Sequence, residues 1–329
     1  MTQLNPSDMQ REILTEILQQ PQALKELAAF YSGDAGRDLL DRLPAAARVV
    51  FCASGSALTL ARWAAYQCRQ AGIPAQAVET AELVAWPSSL FNEFTAIFCL
   101  SASGENASLS VLRERDVHIP LIVLSATPET LPAHKPELVL PLCAGPEKWR
   151  GSKTLVNLLA LTWLVGRRLT GQPHEQEAEQ LKRLRQHVQL LLEGRAAIIE
   201  QWRYCLSGAD HLLLCGQGRQ VFLAELAGHS LADWAGVLAS VVSIQSLQED
   251  YLSWLAPGWA VIVCEDEFAS SETRLPLWPR IEKAGAQVVL LHDGFPQRLG
   301  DPARPIPALH ADLAPLLNFI SCQLLALSL

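Results

Sequence analysis

The 329-residue sequence predicts an α/β fold: two doubly wound, flavodoxin-like parallel-sheet domains related by an internal repeat. Two echoes carry this. ARVVFCASGSALTLARWAAYQCRQAGIPAQAVETAEL (47–83) is repeated in pattern by DHLLLCGQGRQVFLAELAGHSLADWAGVLASVVSIQSL (210–247). FTAIFCLSASGENASLSVLRERDVHIPLIVLSA (94–126) is repeated by GWAVIVCEDEFASSETRLPLWPRIEKAGAQVVLLHD (258–293). Each unit is a short apolar run ending in cysteine, a turn, a helical pattern and a second apolar run. Continuous apolar runs of this length are strands buried on both faces, as in a parallel sheet. The strand-ending cysteines, Cys52 and Cys99 in the first half and Cys215 and Cys264 in the second, are almost equally separated.

Taken in order, SDMQREILTEILQQPQALKELAAFY forms a helical leader with Ser7 as its N-cap. The expected divisions are a leader over 1–44, a first domain over 45–170, a helical linker over 171–206 and a second domain over 207–329. TLVNLLALTWLVGRRL and PHEQEAEQLKRLRQHVQLLLEGRAAIIEQW read as two long helices between the repeats. The final segment, LAPLLNFISCQLLALSL, is an apolar helix, either packed against the sheet or used as an oligomer contact.

Composition narrows the functional classes. Half of the residues are hydrophobic, 18% are charged and the net charge is −8, which argues against a nucleic-acid backbone as partner. The basic cluster LKRLRQH (181–187) reads as the solvated face of a helix. The opening MTQLNPSDMQREIL is polar where a secretory leader would be apolar, and TLVNLLALTWLVG (154–166) is too short to cross a membrane. The eight cysteines include no CxxC pair and no zinc spacing. Cys52, Cys99, Cys215 and Cys264 read as small buried hydrophobes. A reducing, cytoplasmic protein without metal or cofactor is expected.

Ligands of parallel α/β sheets sit beyond the carboxyl ends of the strands, where helix N-termini offer unpaired N–H groups. CASGSA (52–57) places Ser54, Gly55 and Ser56 at such an end; SASGEN (101–106) places Ser101, Ser103 and Asn106 at another. Small residues admit an oxyanion to the backbone and hydroxyls bind it without adding charge, so together the loops predict a phosphate-sized nest. In the second half CGQGRQ (215–220) keeps Gly216 and Gly218 but lacks the third spaced glycine of a dinucleotide site. CEDEFASSET (264–273) carries Glu265, Asp266 and Glu267, which repel phosphate. The halves are therefore unequal.

These motifs resemble the tandem sugar isomerase (SIS) domain family, which includes the isomerase half of glucosamine-6-phosphate synthase and stand-alone sugar-phosphate isomerases, deaminases and deglycases. The leader MQREILTEILQQPQAL is similar to the family opening M-x-x-E-I-x-x-Q-P, SGSALTLARWAAYQCRQAGIP to its G-T-S loop, helix and G-I-P turn, and SASGENAS to its phosphate loop S-Q-S-G-E-T-x-D. GSKT (151–154) lies where the family has A-S-T-K. The resemblance implies phosphate contacts at Ser56, Ser101, Ser103 and Asn106, with Ala102 in place of a glutamine, and places Ser152 where a serine approaches the sugar. It puts Asp233 on the glutamate that serves as base and Glu249 on the histidine that helps open the ring. His229, one helical turn before Asp233, is a further candidate. The family's tail lysine has no counterpart in the sequence, whose last lysine is Lys283.

Two functions stay open. One is an isomerase, or an amino-sugar-phosphate deaminase or deglycase, moving a proton between C1 and C2 of a hexose 6-phosphate. The other is a phosphosugar-binding protein that has lost turnover. Lys148 and Lys153 either steer an anionic substrate or are merely solvated. The resemblance also implies a homodimer, with neither nucleic acid nor membrane as partner.

Overall fold

The computed structural model describes residues 6–45, 47–91, 94–101, 119–127, 136–172, 174, 176–264, 277–299 and 309–329. The chain packs as two compact units, Thr15–Arg185 and Met1–Leu14 with Gln186–Leu329. The leader is broken into α1 (Pro6–Ile17), α2 (Gln20–Ser32) and α3 (Asp34–Asp41). Pro6, which lacks an N–H to leave unpaired, opens α1. Ser7 consequently lies inside the helix rather than capping it.

In the Thr15–Arg185 unit, β1 (Val49–Ala53), β2 (Ala75–Glu79), β3 (Ala96–Ser101), β4 (Leu121–Ser125) and β5 (Leu138–Pro141) form one parallel sheet in the order β2-β1-β3-β4-β5. β1, β3 and β4 are buried at every residue, as their unbroken apolar runs require. Phe51 and Phe98 stack across β1 and β3 at 5.1 Å; truncating either would cost roughly 3–5 kcal/mol. α4 (Ser56–Gln70) buries Leu60, Ala61, Ala64, Ala65 and Cys68, the three- and four-residue spacing of a helix laid on a sheet. Short helices α5 (Thr80–Ala85) and α6 (Ser88–Phe91) follow β2. α7 (Thr154–Leu169) is buried almost throughout and packs on α4, where Gly166 lies against the Gln67 side chain. Its apolar length is thus spent inside the domain, and no helix among the described residues is long and apolar enough to cross a membrane. Arg168 ties α7 to Asp41 at 3.3 Å and to Glu177 at 3.6 Å; Glu177 begins α8 (Glu177–Glu193), on which Lys182 is exposed while Leu181 and Leu184 are buried.

The other unit repeats this strand order. β6 (His211–Gly216), β7 (Ser240–Ser243), β8 (Trp259–Cys264), β9 (Gln287–His292) and β10 (Phe295–Arg298) lie in the order β7-β6-β8-β9-β10. The first four strands run parallel and β10 runs antiparallel to β9. Asp293 and Gly294 make that hairpin at φ 46° and 85°, the left-handed pair that a two-residue Asp-Gly turn requires. α9 (Arg195–Cys205), α10 (Gln220–Ala235), α11 (Ile244–Ser246), α12 (Trp278–Lys283) and α13 (Pro315–Ala326) complete the unit. All twelve residues of α13 are buried, so the apolar final helix is core and packs on α9 and α10. Its polar residues are matched: Trp202 donates its indole N–H to the Ser321 carbonyl at 3.0 Å, and Asn318 accepts the Gly294 amide at 2.8 Å.

Candidate functional site

The β1–β3 ladder pairs Cys52 with Cys99, so Ser54 and Ser101 each come two residues later, at the carboxyl ends of adjacent parallel strands. Ser54 is exposed, Ser56 is half-buried as the first residue of α4, and Ser101 is 7% exposed. Between the first two, Gly55 adopts φ 60°, ψ −143°, a conformation essentially closed to residues with a Cβ. It turns the chain sharply from strand to helix and leaves the first turn of α4 without a side-chain cap. The N-terminus of α4, with the positive end of its helix dipole, therefore stands at the same strand edge as Ser54 and Ser101, an arrangement suited to an oxyanion. Ser103 and Asn106 lie outside the described residues. Beneath the loops, the Cys99 thiol is pushed well above its ordinary range, first by its hydrogen bond with Cys52, then by burial and the Cys52 charge. It is fully buried and packs as a small core residue.

The β5–α7 loop is built differently. The Glu147 carboxylate accepts the backbone amides of Gly151, Lys153 and Thr154 at 2.7–2.8 Å and the Thr154 hydroxyl at 2.7 Å. Glu16 accepts the amides of Lys148 and Trp149 at 2.7 and 3.1 Å. Ser152 is buried; its hydroxyl stands 2.7 Å from Glu16 Oε2 and 3.1 Å from Glu147 Oε2. A hydroxyl has one proton to give, and here it goes to Glu16 of α1 or Glu147 of this loop. The N-terminus of α7 is thus filled by an internal anion, while that of α4 has no side-chain cap among the described residues. Lys153 is buried, unlike the solvated lysine expected by default, whereas Lys148 is exposed.

In the other unit, the β6–α10 turn uses its polar groups internally. A Cβ on Gly216 would come within 2.7 Å of the Gln220 backbone, and Gly218 sits at φ 59°, so both glycines serve the tight entry into α10. Arg219 is paired with Asp312 at 2.5 Å, and Gln220 accepts from Asn318 at 3.3 Å. Glu265, Asp266 and Glu267 lie outside the described residues. His229 and Asp233 share an exposed face of α10. Glu249 is exposed on a π-helical turn, Leu247–Tyr251, and accepts a hydrogen bond from Gln245 at 2.9 Å. The candidate phosphate contacts thus belong to the Thr15–Arg185 unit, and the three candidate catalytic residues to the other.

Glu16, Glu147 and Gln19 were not singled out by the sequence. Glu16 and Gln19 stand far from the loop in the chain, and the only local signal was the acid seven residues before the first residue of α7.

No protein-family model matches the sequence, and no curated protein matches it. Solved structures do. The C-terminal domain of glucosamine-fructose-6-phosphate aminotransferase from Francisella tularensis superposes with a TM-score of 0.78 at 16% identity, over 96% of this chain and 94% of that one. Glucosamine-6-phosphate deaminase from Thermotoga maritima gives 0.73 at 17% identity, over 96% and 92%. Tagatose-6-phosphate ketose/aldose isomerase from Escherichia coli gives 0.74 at 13% identity, over 100% and 95%. At such identities the likeness establishes the fold: two five-stranded, parallel-dominated sheets with flanking helices.

Proposed function

We propose that the chain is a phosphosugar-binding protein of the SIS type, and that it acts on a hexose 6-phosphate by moving a proton between C1 and C2. The observation that carries the binding half of this reading is the first turn of α4 at Gly55, without a side-chain cap among the described residues and flanked by Ser54, Ser56 and Ser101 at adjacent strand ends. Such a nest holds a phosphate by N–H and hydroxyl donors without needing a fixed cation. The neighbours of like fold include an isomerase and a deaminase of 6-phosphosugars, which supports both the ligand and the chemistry.

Isomerisation needs a base that takes a proton from carbon and returns it to the neighbouring carbon. Asp233 is assigned this role, with His229 on the same helix face and Glu249 as further acid–base groups. The enzyme works as a dimer in this reading. A second reading, binding without turnover, is favoured by Glu249: exposed and held by Gln245, a carboxylate is a poor substitute for an imidazole that must exchange protons near neutrality. Incubation with fructose 6-phosphate, glucosamine 6-phosphate and a fructosamine 6-phosphate in deuterated water decides between them. Deuterium at C1 or C2, or released ammonia, supports the enzyme. Saturable binding with neither overturns it in favour of the binding protein.

A further inference from the structure

We infer that Lys153 is a ligand-contacting cation, and that the ligand is a sugar phosphate with a carboxylate at the end remote from its phosphate. This rests on the phosphate site proposed above and on the reading without turnover, because a carboxylate at C1 leaves no carbonyl for proton transfer between C1 and C2. Lys153 is the N-cap residue of α7 and only 5% exposed. Its ammonium donates to Gln19 Oε1 at 2.6 Å, a neutral partner. An ammonium has three N–H donors, and no ion pair joins this one to a carboxylate among the described residues. The two acids nearby are committed elsewhere: Glu147 of the same loop to three amides and the Thr154 hydroxyl, Glu16 of α1 to two amides, with the Ser152 hydroxyl between them. A buried cation whose donors are mostly unused is costly to maintain, and an incoming anion recovers that cost.

The position lies beside an exposed loop residue and fits a defined ligand length. Gly145, exposed and left-handed at φ 66°, lies directly over the ammonium; a Cβ there would stand 3.9 Å from Lys153 Nζ. The Gly145 loop continues from β5, two strand positions from β3 and three from β1 in the same sheet. Adjacent strands are about 4.8 Å apart, so the loop stands roughly 10–14 Å along the sheet edge from the serine nest. That is the reach of an open-chain hexose 6-phosphate from its phosphate to a carboxylate at C1. A carboxylate matches better than a hydroxyl or carbonyl because hydrogen bonds between an ammonium and a carboxylate are charge-assisted.

Calorimetric titration of the whole chain with 6-phosphogluconate and glucose 6-phosphate tests this, in the wild type and in Lys153→Met. The wild type should prefer 6-phosphogluconate by roughly ten- to a hundredfold. Lys153→Met should erase the preference while holding glucose 6-phosphate as before, and Lys153→Arg should restore part of it. Equal affinity of the wild type for both ligands, or a preference that survives in Lys153→Met, overturns the assignment and leaves the phosphate site standing. Failure of the wild type to bind either compound overturns the phosphate site and this inference with it. Without ligand, Lys153→Met should melt at or above the wild-type temperature. A lower melting temperature would make Lys153 a structural tie to Gln19 and overturn the inference.

Discussion

The Glu147 carboxylate accepts both the backbone amide and the hydroxyl of Thr154, each at 2.7 Å. A glutamate seven residues upstream therefore does what a capping side chain does for most helices, and it also gathers Gly151 and Lys153. Charge-assisted hydrogen bonds of this kind are worth about 1.5–3 kcal/mol each when one partner is removed. Glu147→Ala is expected to lower stability by about 2–4 kcal/mol, read as a lower urea midpoint at unchanged slope. An unchanged midpoint would mean that the loop holds itself without the acid.

Asn318 makes the corresponding tie in the other unit, accepting the Gly294 amide at 2.8 Å and donating to Gln220 at 3.3 Å. Asn318→Leu keeps the volume but strands a buried N–H, at a cost of about 1–3 kcal/mol. Asn318→Asp, which retains the acceptor, should lose less in amide-exchange protection at Gly294. Equal loss in both variants would contradict the role given to the acceptor.

Among the described residues Gly55 has nothing within 4 Å of where a Cβ would stand, yet it sits at φ 60°. Gly55→Ala should therefore cost backbone strain of about 1–3 kcal/mol without a steric clash. Because relief of that strain rotates the loop, phosphate-ester affinity should fall along with thermal stability. Full affinity in a destabilised variant would show that the turn does not shape the nest.

Alkaline pH offers a further check. Burial pushes the Cys264 thiol up from 9.0 to about 12, so the unfolded chain ionises first as pH rises. The folded state then binds the extra proton, and stability begins to fall as pH approaches 9 and declines steadily between there and the folded value. At pH 10 the decline from this group is about 1.4 kcal/mol. Cys264→Ala should flatten that part of the pH–stability curve, whatever it costs at pH 7. Cys68, pushed up to about 12 chiefly by burial, behaves alike. Iodoacetamide at pH 8 should leave both thiols intact until the protein unfolds; fast alkylation of the native protein would contradict their burial.

Much of the fold was legible because parallel strands buried on both faces leave continuous apolar runs. VVFCA, AIFCLS, HLLLCG and WAVIVC each became a central strand. Edge strands were harder: LVLP (138–141) and FPQR (295–298) are short and broken by proline, and were not isolated. Proline is tolerated there because an edge strand need not donate on its outer side. At the site, Gly55 and its serines were readable from local turn chemistry. The Glu16–Ser152–Glu147 cluster and the burial of Lys153 depend on chain segments over 130 residues apart, which no local pattern encodes.

Binding at the β1 and β3 strand ends is tested most directly by titrating fructose 6-phosphate into the wild type and into Ser56→Ala/Ser101→Ala, with circular dichroism to verify the fold. The wild type should bind saturably, and the double variant at least about tenfold more weakly, the loss of two hydroxyl donors. Undiminished binding by a folded double variant, or no binding by the wild type, would contradict a phosphosugar site at these loops.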